Sequence, residues 1–151
     1  MRYEQARDII AHARQFHRLI ADYYHTLSAQ ADKERLRMLL DYLERHERHL
    51  ERCLTDYGEG ASRKVLTRWF RYSPCEDHLG HLRALLAEPA PEPDAVMRTA
   101  IRMDDCIIDM YRKLAAEAED EETRSVFRSL LEMEERERRR IMRGTQVMDD
   151  L

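Results

Sequence analysis

Apolar residues recur at steps of three and four positions in four long stretches of the chain, as they do along the buried face of an amphipathic helix. Seven of the eight glycine and proline residues fall between Gly58 and Pro93, so the helix breakers are concentrated in one central segment. The predicted helix stripes are Ile9, Ala13, Phe16, Ile20, Tyr23 and Leu27; Leu36, Leu39, Leu43, His46, Leu50, Cys53 and Tyr57; Met97, Ile101, Asp104, Ile108, Tyr111 and Ala118; and Phe127, Leu130, Glu134, Glu137 and Ile141. The pattern predicts four long helices.

The helices are expected to form two antiparallel hairpins, 3–57 and 94–143, because the loop within each pair is short. The crossover between them, 58–93, is too long for a turn. It contains SRKVLTRWF and EDHLGHLRALL, each predicted to be a short helix, and then the rigid linker EPAPEP. We therefore predict a single all-α domain over 1–151, a four-helix bundle with one long crossover.

The two hairpins carry related sequences. Residues 22–31, DYYHTLSAQA, and residues 109–118, DMYRKLAAEA, both fit D-x-Y-x-x-L-x-A-x-A. His17 lies seven residues before the tyrosine of the first copy, and Asp104 lies seven residues before that of the second. Polar residues thus occupy matching positions on the apolar faces of the first and third helices.

The second helices of the hairpins match as well. LERHERH (43–49) aligns with LEMEERE (131–137), which pairs His46 with Glu134 and His49 with Glu137. Buried carboxylates are paired, protonated or bound to metal, and carboxylate and imidazole are ligands that suit iron, manganese and zinc. All four helices bring such a group to about the same height, which predicts a metal site with the candidate ligands His17, His46, His49, Asp104, Glu134 and Glu137.

These positions make the chain resemble the rubrerythrin and ferritin-like superfamily of carboxylate-bridged di-iron four-helix bundles. In that family each half supplies a Glu seven residues before a Tyr and then Glu-x-x-His on the next helix. Here His17 and Asp104 replace the first pair, and the motifs read His46-x-x-His49 and Glu134-x-x-Glu137. The resemblance implies a ferritin-like fold and a metal-dependent oxidoreductase of rubrerythrin type. Its electron donor would be a separate protein, because the chain has no C-x-x-C module.

Two alternatives remain open at this stage. The cluster could hold a single ion, such as zinc, for storage or sensing. It could also be a vestigial, metal-free network in a non-catalytic protein, in which protonated histidines neutralise the carboxylates. Such a protein would act through protein–protein contacts, expected to be those of a homodimer, with Trp69, Phe70 and Tyr72 exposed on its contact surface.

Charge, hydropathy and cysteine spacing bear on the kinds of partner and on the compartment that we expect for the protein. The net charge of −4 gives no electrostatic case for nucleic acid, and no apolar run approaches the roughly 20 residues of a membrane span. The N-terminus lacks the apolar stretch of a signal peptide. The cysteines, Cys53, Cys75 and Cys106, are widely spaced, so we expect reduced thiols in a cytoplasmic protein.

Overall fold

Six helices and a two-stranded sheet make up the described part of the chain. A computed structural model describes residues 1–75, 79–88 and 91–149. In chain order the elements are β1 (Arg2–Gln5), α1 (Ala6–Gln30), α2 (Glu34–Gly60), α3 (Arg63–Leu66), β2 (Trp69–Tyr72), α4 (Leu79–Leu86), α5 (Pro93–Glu117) and α6 (Glu121–Asp149). The all-α prediction is confirmed, with the small sheet as an addition.

The four long helices form two pairs, α1 with α2 and α5 with α6, each joined by a short loop. The two loops are built alike. The Arg37 guanidinium donates to the carbonyl of Ala31 at 2.7 Å, and the Arg124 guanidinium donates to the carbonyl of Ala118 at 2.9 Å. Arg37 and Arg124 are 87 residues apart, and so are Ala31 and Ala118. The same offset relates the two D-x-Y motifs. The internal repeat therefore extends through the loops.

One hydrophobic core lies between the long helices and includes residues of the crossover. On α1 the predicted stripe is confirmed, except that Tyr24 is buried and Tyr23 is only half-buried. On α2 the buried row is Leu36, Leu39, Leu40, Leu43, Glu47, Leu50 and Leu54. The predicted stripe is therefore wrong at His46, Cys53 and Tyr57, which are half-buried at the edge of the core. None of the helices in the described residues is long and apolar enough to cross a bilayer.

The crossover differs from its prediction. Only the start of SRKVLTRWF is helical, as α3, and its end forms β2, which pairs antiparallel with β1. A strand at the N-terminus, distant in sequence, stabilises this conformation, so no local pattern predicts it. The helix predicted over EDHLGHLRALL is confirmed from Leu79 to Leu86; its residues 76–78, and residues 89–90 of the linker, lie outside the described residues.

The aromatic residues of β2 alternate between the core and the surface. Phe70 is buried against Phe127, with ring centroids 5.3 Å apart, and Tyr72 is also buried. Trp69 is 55% exposed and stacks on Tyr3 of β1, with centroids 5.0 Å apart. The expectation that all three aromatic residues are exposed is therefore confirmed for Trp69 alone.

A disulfide bond between Cys75 and Cys106 joins the crossover to α5. The expectation of three reduced thiols is wrong for this pair and holds for Cys53, which is free. The 31-residue separation carries no pairing signal, and the two cysteines meet only because the crossover folds back onto α5. A structural disulfide is typical of an oxidising compartment and does not favour the cytoplasm.

Candidate functional site

One polar side chain from each long helix lies buried near the middle of the core. His17 of α1, Glu47 of α2, Asp104 of α5 and Glu134 of α6 are between 1% and 6% exposed. We call these four residues the core cluster. Each lies on an apolar row of its helix, so helix packing places it inside although its side chain is polar. A buried cluster of this kind requires its charges to be compensated internally or by a ligand.

The imidazole of His17 lies between two carboxylates of the core cluster. Its Nδ1 contacts Glu47 Oε2, and its Nε2 lies 2.6 Å from Glu134 Oε1. An imidazole can donate from both nitrogens only when it is protonated. Burial alone would lower the pKa of His17, but Glu134 and Glu47 outweigh burial and raise that pKa well above its usual value. In this arrangement His17 is an imidazolium ion bridging two glutamates.

Asp104 adds a third carboxylate to the same layer. Burial raises the pKa of Asp104 well above its usual value, and the nearby charges of Glu47 and Glu134 raise it further, against a smaller opposing effect of His17. Burial raises the pKa of Glu134 as well, against an opposing effect of His17. If all three carboxylates were ionised and His17 protonated, the cluster would carry a net charge of −2. This excess negative charge is what a bound cation would compensate.

Two tyrosines complete the surroundings of the core cluster. The hydroxyl groups of Tyr24 and Tyr111 are buried and have no hydrogen-bond partner among the residues that the structure describes. Burial raises the pKa of both phenols, and the charges of Glu47 and Asp104 near Tyr24, and of Glu134 near Tyr111, add to the effect. Buried tyrosine hydroxyls usually find a partner, so these two are available to one from outside the described residues, such as a bound ligand.

A second group of polar residues lies where α2 faces α6, closer to the surface. We call His46, His49, Cys53 and Glu137 the rim cluster. His46 Nδ1 lies 2.7 Å from Glu137 Oε2, and His49 Nε2 lies 3.6 Å from both Glu137 Oε1 and Cys53 Sγ. The Glu137 side chain is 4% exposed, whereas that of His49 is 45% exposed. The rim cluster therefore joins a buried carboxylate to an imidazole that reaches solvent.

The charges of the rim cluster are balanced differently from those of the core cluster. Burial alone would raise the pKa of Glu137, but the hydrogen bond and charge of His46, with His49 and Arg140, hold it below its usual value. Arg140 Nη1 donates to Glu137 Oε1 at 2.8 Å. Burial and the charge of Glu137 raise the pKa of the Cys53 thiol. Glu137 is thus an ionised carboxylate held by the His46 imidazole and the Arg140 guanidinium.

The structure divides the six predicted ligands between the two clusters. His17, Asp104 and Glu134 come together in the core, whereas His46, His49 and Glu137 meet at the rim. The residue that sequence reasoning missed is Glu47. Its signal is the row Leu40, Glu47 and Leu54 at seven-residue spacing, with all three side chains buried.

The register between the second helices of the hairpins is corrected by one residue. The predicted alignment of 43–49 with 131–137 uses an offset of 88, whereas the first helices and the loops use 87. At an offset of 87, Glu47 matches Glu134, just as His17 matches Asp104. The core cluster is therefore two copies of one pair of positions, one pair from each hairpin.

As the side chains stand, no group of three or more His, Cys, Asp or Glu residues within the described ranges is placed to hold a metal ion. In the core cluster the His17 ring separates the carboxylates of Glu47 and Glu134, so they do not face a common point. The predicted metal site stays a prediction. No protein-family model, curated protein or solved structure matches this chain.

Proposed function

We propose that the protein is a metal-binding, ferritin-like four-helix bundle whose core cluster takes one divalent transition-metal ion. The observation that supports this most is the convergence of three carboxylates and one imidazole, one from each long helix, in a single buried layer. If ionised, the three carboxylates carry three negative charges, of which one divalent cation bound beside a neutral His17 would compensate two.

The donor set fits a metal ion. Glu47, Asp104 and Glu134 would supply oxygen ligands and His17 a nitrogen ligand, a combination that suits iron, manganese or zinc. The unpartnered hydroxyls of Tyr24 and Tyr111 are placed to hydrogen-bond the ligands around it. When bound, such an ion would act as a Lewis acid or, for iron or manganese, exchange electrons.

Binding of a metal ion to the core cluster would depend on the protonation state of His17. Its two nitrogens engage Glu47 and Glu134, so a cation competes with the imidazolium for these carboxylates. To become a ligand, His17 must first lose a proton, and binding would therefore release a proton to solvent. Asp104, whose pKa is raised, would release a second proton if it is protonated in the metal-free protein. Metal uptake should accordingly strengthen with rising pH.

A second candidate function follows from the same contact. Because the His17 imidazolium already bridges two carboxylates, it can stand in for a cation, and the cluster would then be a vestigial site in a non-catalytic protein. The exposed stack of Trp69 on Tyr3 offers such a protein an aromatic contact surface, for a homodimer or another partner.

Anaerobic titration with Fe²⁺ and Mn²⁺ tests the first candidate. We expect one equivalent to bind to the wild-type protein. Asp104→Asn and Glu134→Gln should each weaken binding by at least about tenfold, as for the loss of a ligand or its close support. Asp105→Asn is the matched control, since the Asp105 side chain is 55% exposed and pairs with Arg138. Circular dichroism checks that each variant is folded.

The outcomes separate the two candidates. If the wild-type protein binds neither ion, or if Asp104→Asn and Asp105→Asn bind equally well, the metal-binding function is refuted. Oligomeric state and partner capture, with Trp69→Ser as the variant, would then test the second candidate. If the ion binds, peroxide turnover with an added electron donor distinguishes an oxidoreductase from a storage or sensing protein.

A further inference from the structure

We propose that the rim cluster is a separate binding site for a thiophilic divalent cation such as Zn²⁺, with the Cys53 thiolate, the His49 imidazole and the Glu137 carboxylate as ligands. The inference does not rest on the proposed function of the core cluster. The two sites differ in chemistry, because the core cluster contains no sulfur and the rim cluster does. Thiolate and imidazole together favour zinc and similar soft or borderline ions.

Helix α2 brings two of these donors, His49 and Cys53, to one side together with His46. His46, His49 and Cys53 follow each other at steps of three and four residues. At about 3.6 residues per turn, such positions lie on one face of a helix and their side chains can reach a common ligand. Glu137 approaches the same face from α6 and provides the donor from a second element. The site therefore needs no loop to close.

Two of the separations between donor atoms are close to those found across a tetrahedral ion. His49 Nε2 lies 3.6 Å from Cys53 Sγ and 3.6 Å from Glu137 Oε1. In a tetrahedral zinc site, with Zn–N of about 2.0 Å and Zn–S of about 2.3 Å, the nitrogen and sulfur lie roughly 3.5 Å apart. An ion would draw Cys53 and Glu137 together around it.

Two neighbours of Glu137 would affect how tightly the site binds a cation. His46 holds the other carboxylate oxygen at 2.7 Å and so orients the carboxylate, a positioning role that supports a ligand. Arg140 occupies Oε1 and competes with a cation for it. The Arg140 side chain is 51% exposed, so it can move into solvent when an ion binds. The exposed His49 leaves the site open to solvent for an incoming ion.

Titration with Co²⁺ tests the proposal, because a cobalt–thiolate bond gives an intense near-ultraviolet absorption band. Cys75 and Cys106 are joined in a disulfide, so such a band can arise only at Cys53. We expect the band in the wild-type protein, its loss in Cys53→Ser, and binding weakened at least about tenfold in His49→Ala and Glu137→Gln. Zn²⁺ should displace Co²⁺ and protect Cys53 from alkylation.

Controls separate this site from the core cluster. His25→Ala removes a histidine whose side chain is 71% exposed, and Asp104→Asn alters the core cluster alone; both should leave the band unchanged. Arg140→Ala should tighten binding, because it removes the competing cation. Absence of the band at saturating Co²⁺, or a band that persists in Cys53→Ser, overturns the proposal. Neither result bears on Fe²⁺ or Mn²⁺ binding at the core cluster.

Discussion

The substitution His17→Leu removes the imidazolium between Glu47 and Glu134 without opening a large cavity. In the metal-free protein the two carboxylates then lose the hydrogen bonds that His17 makes from both ring nitrogens. Glu47 and Glu134 are 4% and 2% exposed, so water cannot replace the lost partner. We expect the variant to be much less stable than the wild-type protein at neutral pH and only slightly less stable in mild acid.

The loss of stability is set by the smaller of two free-energy costs, that of leaving a buried carboxylate charge unpaired or that of protonating the carboxylate. Leaving a buried charge unpaired costs about 3–5 kcal/mol. Protonating a glutamate with an ordinary pKa of about 4.3 costs about 3.7 kcal/mol at pH 7, but only about 1 kcal/mol at pH 5. If Glu47 and Glu134 share one proton, the free energy of unfolding at pH 7 falls by about 4 kcal/mol. If each glutamate must be protonated, it falls by about 7 kcal/mol. At pH 5 the loss is only about 1–2 kcal/mol.

The wild-type protein should respond to pH in another range. The pKa of His17 is raised in the folded state, so its stabilising contribution is complete below the unfolded value of about 6.5. The contribution is lost as the pH rises through the folded pKa. Between pH 5 and 7 the wild-type protein therefore loses under about 1 kcal/mol of this contribution, less than the variant loses, and the difference in free energy of unfolding between wild type and His17→Leu should grow with pH.

Urea unfolding at pH 5 and pH 7, with a chelator present, measures these differences. The matched control combines His17→Leu with Glu47→Gln and Glu134→Gln, which removes the charges that His17 compensates. This triple variant should recover most of the stability lost at pH 7, and its loss should not depend on pH in this range. A His17→Leu protein within about 1 kcal/mol of wild type at pH 7 would refute the reasoning, because Glu47 and Glu134 could not then be buried without a cation.

Three further predictions concern the free energy of unfolding measured by urea denaturation. A Cβ at Gly144 would lie 2.0 Å from the Tyr42 hydroxyl oxygen, so Gly144→Ala should displace that ring and cost about 1–2 kcal/mol. The control is Gly60→Ala, whose Cβ would meet no atom of the described residues within 4 Å and which should cost nothing. Equal effects of the two substitutions would contradict the close packing at Gly144. Asp104→Asn should stabilise the metal-free protein at pH 7 by about 1 kcal/mol or more and have little effect at pH 3. The reason is that the raised pKa of Asp104 makes its ionisation favour the unfolded state above about pH 4; a loss at pH 7 would contradict this. Cys75→Ser opens a disulfide that spans 31 residues and should cost about 3–4 kcal/mol; a reductant should lower wild-type stability equally and leave the variant unchanged.

The helices and their loops could be predicted from the sequence because their signals are local. The steps of three and four between apolar residues, and the breakers gathered near the crossover, located all four long helices. The strand β2 could not be predicted, since its partner β1 precedes the two helices of the first hairpin in the sequence and β2 follows them. The cysteine pairing was equally inaccessible, because it depends on the path of the crossover.

The candidate site was predicted in part. Asp104 and Glu134 were found because each interrupts an apolar stripe, and His17 because it occupies the position that matches Asp104 in the repeat. Glu47 was missed because it stands next to His46, and a helix with two adjacent polar residues fits either register until its loop is included. A one-residue shift turns a helix by about 100°, enough to exchange a core position for one at the rim.

Two joined copies of a hairpin can differ from each other, which two identical chains cannot. Identical hairpins with histidine at the position of His17 and Asp104 would set two imidazolium ions against two glutamates, and the layer would be neutral. Identical hairpins with aspartate there would provide four carboxylates, a match for two divalent cations. This chain has one residue of each kind. Joining the copies in a single polypeptide therefore permits an intermediate charge, suited to a single ion, that a symmetric pair of hairpins could not reach with these residues.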